Sequence, residues 1–138
     1  SLENHQDLVN EDFTYLFRLM DYPSLTKMQL IEKNAHEKQS GIEIIKRLVR
    51  NGLFVESPDK DDKRSTRISV TEKGKKVFQE SMKDITVVSK IMCGRLNDSE
   101  KENLLKSLKK LNTFHHTIYT NLRDEEPGEL LKMVENAG

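Results

Sequence analysis

Within Asp62-Lys63-Arg64-Ser65-Thr66-Arg67, three cations stand close together, just after the turn-forming run Ser57-Pro58-Asp59-Lys60-Asp61. Ammonium and guanidinium groups at this density suit the binding of phosphate oxygens. On an exposed hairpin tip they can follow a nucleic-acid backbone or enter a minor groove. The plain alternative is a solvated charged turn. The chain is electrically neutral, but its charge is unevenly spread: residues 38–76 carry eleven Lys and Arg against six Asp and Glu, a net of +5, and the remainder a net of −5. One surface could therefore attract phosphate while the rest repels it.

Other chemistries find little support in the residues. The single Cys93 cannot make an intrachain disulfide, and it reads as a buried, inert thiol. His5, His36, His115 and His116 have no zinc-ligand spacing, and adjacent histidines on a helix point about 100° apart rather than at one metal. No phosphate-binding glycine loop, dinucleotide motif or nucleophile elbow is present, so neither catalysis nor a cofactor or metal is expected. No apolar run approaches the ~20 residues of a membrane span and the N-terminus has no signal-peptide pattern, which points to the cytoplasm. A length of 138 residues, 35% hydrophobic and 33% charged, fits one helix-rich domain with large solvated faces.

The basic residues must be held by the elements around them. Glu11 to Asp21 places Phe13, Leu16, Phe17 and Met20 at helical spacing and stops at Tyr22-Pro23. Ser24-Leu25-Thr26 opens a second helix, with Thr26 and Gln29 at capping-box spacing, Met28, Leu30 and Ile31 apolar, and an end near Asn34. A third helix begins at about Lys38 to Ser40 and runs to Asn51, where Gly52 stops it. Its apolar stripe is Ile44, Ile45 and Leu48, so Gln39, Ile42, Glu43, Lys46, Arg47 and Arg50 face away from that stripe. Leu53-Phe54-Val55 reads as a strand, and Arg67-Ile68-Ser69-Val70 alternates as a half-buried strand should, with Thr71 able to cap the helix that follows. Two short helices, a brief turn and a basic hairpin together describe a winged helix, in which one helix enters a major groove and the hairpin lies on the neighbouring backbone.

The order Leu25-Thr26, then Ile44-Ile45-Lys46-Arg47-Leu48-Val49-Arg50-Asn51-Gly52-Leu53, then Asp62-x-Arg64 with Val70-Thr71-x-x-Gly74 resembles the MarR family of bacterial transcription regulators. The family's wing pattern is Asp-x-Arg, five residues, Leu, Thr, two residues, Gly, and this chain differs only in Val70. The resemblance spans roughly residues 11 to 123. It implies that Arg64 reaches into the minor groove from the wing tip, that Asp62 orients it or braces the loop, and that Lys60, Lys63 and Arg67 add phosphate contacts. Gly74 would allow close packing where the next helix begins. On the recognition helix, the resemblance places Lys38, Gln39, Ser40, Ile42, Glu43 and Lys46 towards DNA, and Arg47 is a further candidate on that outer face. Ile42 and Glu43 depart from the family's usual short polar and basic residues. Ile42 could meet a thymine methyl, while Glu43 either accepts from a cytosine amino group or repels phosphate.

Further along, one long helix is expected from Gly74 to about Leu96, with Val77, Phe78, Met82, Ile85, Val88 and Met92 apolar. Asn97 and Glu100 then cap a helix whose stripe is Leu104, Leu105, Leu108, Leu111, Phe114, His115 and Ile118, and Pro127 opens a last one. Such stripes exceed the needs of a wing domain's core. They suit either an intramolecular helical hairpin or a homodimer, and the resemblance implies the dimer. Only about ten residues precede Glu11, where the family has a full helix. The chain is therefore expected to be trimmed at its start or to rely more on its C-terminal helices. Ser1 reads as a cloning remnant.

The expected fold class is mostly α with a small β-hairpin wing, a winged helix-turn-helix flanked by long dimerisation helices. Residues 11–76 form the DNA-binding domain, with a recognition helix over about 38–51 and a wing over about 54–70; residues 1–10 and 77–138 form the helical dimerisation region. The expected activity is that of a homodimeric regulator, a repressor, on a pseudo-palindromic operator in double-stranded DNA. The resemblance further implies a small aromatic effector, for which Phe13, Phe17, Phe78, Met82, His115 and Tyr119 are candidate contacts; the same residues also suit plain core. Two other uses of the fold stay open at this point: a winged helix that contacts protein, and a ligand-binding protein without DNA affinity.

Overall fold

Asp12 and Val9 set the start of the first helix, since the Val9 amide donates to the Asp12 carboxylate at 3.4 Å. The computed structural model describes residues 8–137; positions 1–7 of the expected dimerisation region, His5 among them, lie outside the described residues. Helix α1 (Asn10–Asp21) turns Asp12, Tyr15, Leu16 and Leu19 inward. This corrects the expected apolar stripe. Leu16 is on it, but Phe13 is half-buried and Phe17 and Met20 are exposed. The inward face is set by partners remote in sequence: Arg47 for Asp12, and His36 for Tyr15, whose rings stack with centroids 5.6 Å apart.

Strand β1 (Leu25–Thr26) occupies the place where the second helix was expected to open. Helix α2 (Lys27–Lys33) then starts on the expected capping box, with the Gln29 amide donating to Thr26 Oγ1 at 3.2 Å and the Thr26 amide to Gln29 Oε1 at 3.0 Å. The turn into α3 passes through Ala35 in the left-handed region (φ 52°). Helix α3 (Lys38–Arg50) buries Gly41, Ile44, Ile45 and Leu48 and ends before Gly52, whose φ of 74° suits glycine. Gly41 has no room for a side chain: a methyl there would lie 2.6 Å from Ile31 Cγ1 and 2.8 Å from the Tyr15 hydroxyl. That closeness lets α3 cross α1 and α2 with their backbones near one another.

Strand β2 (Phe54–Pro58) runs further than the expected Leu53–Val55, because its whole length pairs antiparallel with β3 (Thr66–Val70), from Phe54 opposite Val70 to Pro58 opposite Thr66. Strand β1 adds to the other edge of β3, giving the order β1-β3-β2 with Leu25 opposite Ile68. Thr71 ties the hairpin base to α3: its hydroxyl donates to the Gly52 carbonyl at 2.6 Å and accepts from the Gly74 amide at 3.0 Å. Gly74 lies so close to the Leu53 carbonyl and Val70 that a β-carbon there would clash with both. The buried apolar core is drawn from α1, β1, α2, α3, Leu53, Phe54 and Ile68.

Helix α4 (Glu72–Met92) ends earlier than the expected Leu96. Cys93 to Arg95 form a turn, closed by the Leu96 amide donating to the Cys93 carbonyl at 3.0 Å. Contacts divide the described residues into two units after Lys90, the first of which takes in most of α4. In the second unit, α5 (Asp98–Leu122) begins on the expected Asn97–Glu100 box and α6 (Pro127–Asn136) on Pro127. Neither α5 nor α6 buries a residue. No helix of the described residues is long and apolar enough to cross a membrane.

Candidate nucleic-acid interface

The cations of the basic middle sort into two groups by what they touch. Arg47 lies on the flank of α3 that meets α1, and its guanidinium forks onto Asp12: Nε donates at 3.1 and 3.2 Å to the two carboxylate oxygens and Nη2 at 2.5 Å. Asp12 is wholly buried, and the hydrogen bond to it raises the Arg47 pKa, against the opposing effect of desolvation. Arg67, on β3, donates Nε to Asp59 Oδ2 at 2.9 Å and Nη1 to the Ser24 carbonyl at 3.3 Å. Lys46 pairs with Glu43 at 3.1 Å across one helical turn, both exposed. These pairings give Arg47, Arg67 and Lys46 partners within the chain, although sequence placed all three towards DNA.

Lys38, Lys60, Lys63 and Arg64 differ. Each is exposed, and no ion pair or hydrogen bond of its side chain occurs among the described residues. Arg50, at the last position of α3, is equally exposed and unengaged among the described residues; the sequence set it on the outer face of the helix without assigning it to DNA. Lys38, Gln39 and Ser40 form the exposed first turn of α3. Glu37, at its N-cap, makes no side-chain hydrogen bond there. Ile42 is half-buried and packs against the core, which leaves less of it for a base methyl than the outer-face placement supposed.

The hairpin loop between β2 and β3 is organised by two carboxylates. Asp62 Oδ1 accepts from the Arg64 amide at 2.9 Å, so it shapes the backbone under Arg64. Asp59 is buried and accepts from the Asp61 amide at 2.8 Å and the Asp62 amide at 3.3 Å, besides its ion pair with Arg67. The Asp61 amide chiefly, opposed by desolvation and aided by the Asp62 amide and Arg67, holds the Asp59 carboxyl below its ordinary value. Sequence reading treated Asp59 only as a turn former. Its signal was the Pro58-Asp59 start of the loop, since an Asp side chain commonly accepts from amides two residues on.

Of the aromatic candidates, Phe13, Phe17 and Phe78 come together in the first unit, with ring centroids 6.0 to 6.2 Å apart and Phe13 stacked on Phe78. Met82 is half-buried on α4; His115 and Tyr119 lie on α5, in the second unit. Cys93 is half-buried in the turn after α4. Among the described residues no group of three His, Cys, Asp or Glu is placed to hold a metal ion.

This geometry agrees with comparisons to known proteins. Residues 20–74 match the family described as winged helix DNA-binding domain. The HTH-type transcriptional regulator YybA of Bacillus subtilis is 26% identical over 98 residues, which are 71% of this chain and 65% of YybA, so the chain spans less than two thirds of that relative. A MarR protein from Peptoclostridium difficile superposes with a TM-score of 0.77 at 22% identity, covering 86% of this chain and 78% of the other. An organohalide-sensing RdhR transcriptional regulator in its 2,4-dichlorophenol-bound form superposes with a TM-score of 0.67 at 28% identity, over 80% of this chain and 66% of the other. Residues 20–74 are thus similar to a winged helix DNA-binding domain, and the chain has the fold seen in MarR-type regulators.

Proposed function

We propose that the chain is a cytoplasmic, homodimeric transcriptional repressor that grips a pseudo-palindromic site in double-stranded DNA, acts by binding rather than catalysis, and is released by a small aromatic effector. The observation that carries the DNA reading is the set of unengaged cations on α3 and the wing: Lys38, Lys60, Lys63 and Arg64. The first turn of α3 supplies Lys38, Gln39 and Ser40 to the major groove, where N-terminal residues of a recognition helix reach base edges. Arg64 enters the adjacent minor groove, with Lys60 and Lys63 on the phosphates. Glu43 is held back by Lys46 and contributes to solubility more than to base reading.

The dimer is supported by apolar side chains left in water. Leu104, Leu105, Leu108 and Leu111 on α5 are each 44 to 54% exposed, and Leu131, Met133 and Val134 on α6 are similarly open. Exposed stripes of this size mark an interface. Effector release is supported by the half-open ring cluster Phe13–Phe17–Phe78 and by the phenol bound in the RdhR regulator. Fluorescence anisotropy with labelled duplex DNA at rising salt tests the reading. Contact with several phosphates predicts a linear loss of log affinity with log salt, at a slope near −0.9 per phosphate. Affinity indifferent to salt would favour a winged helix that contacts protein instead.

A further inference from the structure

We propose that Arg67 and Asp59 do not bind DNA but form a brace that fixes the wing against the start of the helix-turn-helix, so that Arg64 is presented to the groove in one orientation. The proposal rests on the DNA-binding reading above and deepens it.

The atoms that carry it span three segments. Asp59 sits where β2 ends, and its carboxylate gathers two loop amides, those of Asp61 and Asp62, at 2.8 and 3.3 Å. One oxygen of the same carboxylate meets Arg67 Nε at 2.9 Å. The far end of the guanidinium crosses from β3 to the segment before β1, where Nη1 reaches the Ser24 carbonyl at 3.3 Å and the Ser24 hydroxyl at 3.4 Å. The loop is closed again beneath by the Asp59 amide donating to the Ser65 carbonyl at 3.1 Å and the Ser65 amide to the Asp62 carbonyl at 2.9 Å. Asp62 then accepts from the Arg64 amide. A continuous path of hydrogen bonds therefore runs from Ser24, two residues ahead of the Thr26 cap of α2, to the backbone of Arg64. A two-stranded hairpin alone twists easily. The planar fork of arginine spans carbonyl and carboxylate together, which lysine cannot do.

A guanidinium already committed to a buried carboxylate gains little from a phosphate, because reaching one would leave Asp59 unpaired. Arg67 is therefore a positioning residue, and the contact falls to Arg64.

The test measures duplex-DNA affinity against salt for the full chain and for Asp59→Ala, Arg67→Ala and the double variant, with melting curves ensuring that each is folded at the assay temperature. Asp59→Asn, which keeps the acceptor for the loop amides, replaces Asp59→Ala if that variant fails to fold. Each single variant is expected to lose about tenfold in affinity, the double variant to lose no more than either, and the salt slope to stay that of wild type. Arg67→Lys is expected to restore only part of the loss. A slope reduced by about one in Arg67→Ala, with losses that add in the double variant, would mean a direct phosphate contact and overturn the brace. Lowered melting temperature with undiminished affinity would reduce the pair to a fold-stabilising role and overturn it as well. Wild-type chain that binds no duplex would remove the DNA-binding reading itself, a result distinct from brace variants that bind like wild type.

Discussion

Arg47 and Arg64 are chemically identical side chains whose surroundings give them opposite roles. Arg47 neutralises a carboxylate that has no access to water, so Arg47→Ala strands Asp12; the expected cost is about 3 kcal/mol of folding stability, read from urea denaturation. The Arg64 side chain makes no ion pair or hydrogen bond among the described residues, so Arg64→Ala is expected to leave the urea midpoint unchanged while weakening DNA binding by about 1–3 kcal/mol. Asp59 adds a pH dependence. Its folded pKa is lowered, so its stabilisation is full above the unfolded carboxylate value of about 3.9 and is lost as pH falls through the lower folded value. Asp59→Asn should accordingly lose stability at neutral pH and show a flatter acid limb below about pH 4, in denaturation midpoints measured from pH 7 to 2. These roles could not be read from sequence. The partners of Asp12 and Arg47 are 35 positions apart, and a charge count gives every cation the same weight.

Elements with local causes were legible, and those with remote causes were not. The Thr26–Gln29 and Asn97–Glu100 boxes and Pro127 place helix starts correctly, because a cap is settled within four residues. Strand β1 was missed, since two residues become a strand only by pairing with Ile68 and Arg67 far along the chain. The inward face of α1 was misjudged by apolar counting, because Asp12 is buried through its ion pair while Phe17 remains in water. The extent of α4 was overestimated because an apolar stripe through Leu96 does not reveal the turn at Cys93 to Arg95. Gly41 went unnoticed, although it sets how closely α3 approaches Ile31 and Tyr15. Gly41→Ala is expected to cost about 1–3 kcal/mol by overpacking, measured as a fall in melting temperature, and to weaken DNA binding by shifting α3.

At the scale of the molecule, the first unit has a core and the second unit's helices bury nothing. That imbalance is the main physical reason to expect two copies, and with it a two-fold site whose half-sites are about one helical turn of DNA apart. Leu108→Glu, in the middle of the exposed stripe of α5, is expected to yield monomers in sedimentation and to abolish binding to a palindrome while sparing the first unit's fold. The distribution of charge was visible in the sequence, but the division of the cations into those with partners and those without among the described residues was not. Selection of bound sequences from random duplex DNA by the full chain tests the central claim most directly. The account predicts enrichment of a palindrome with half-sites about 10 base pairs apart centre to centre, lost in Arg64→Ala. Failure of the wild-type chain to enrich any such palindrome would contradict it.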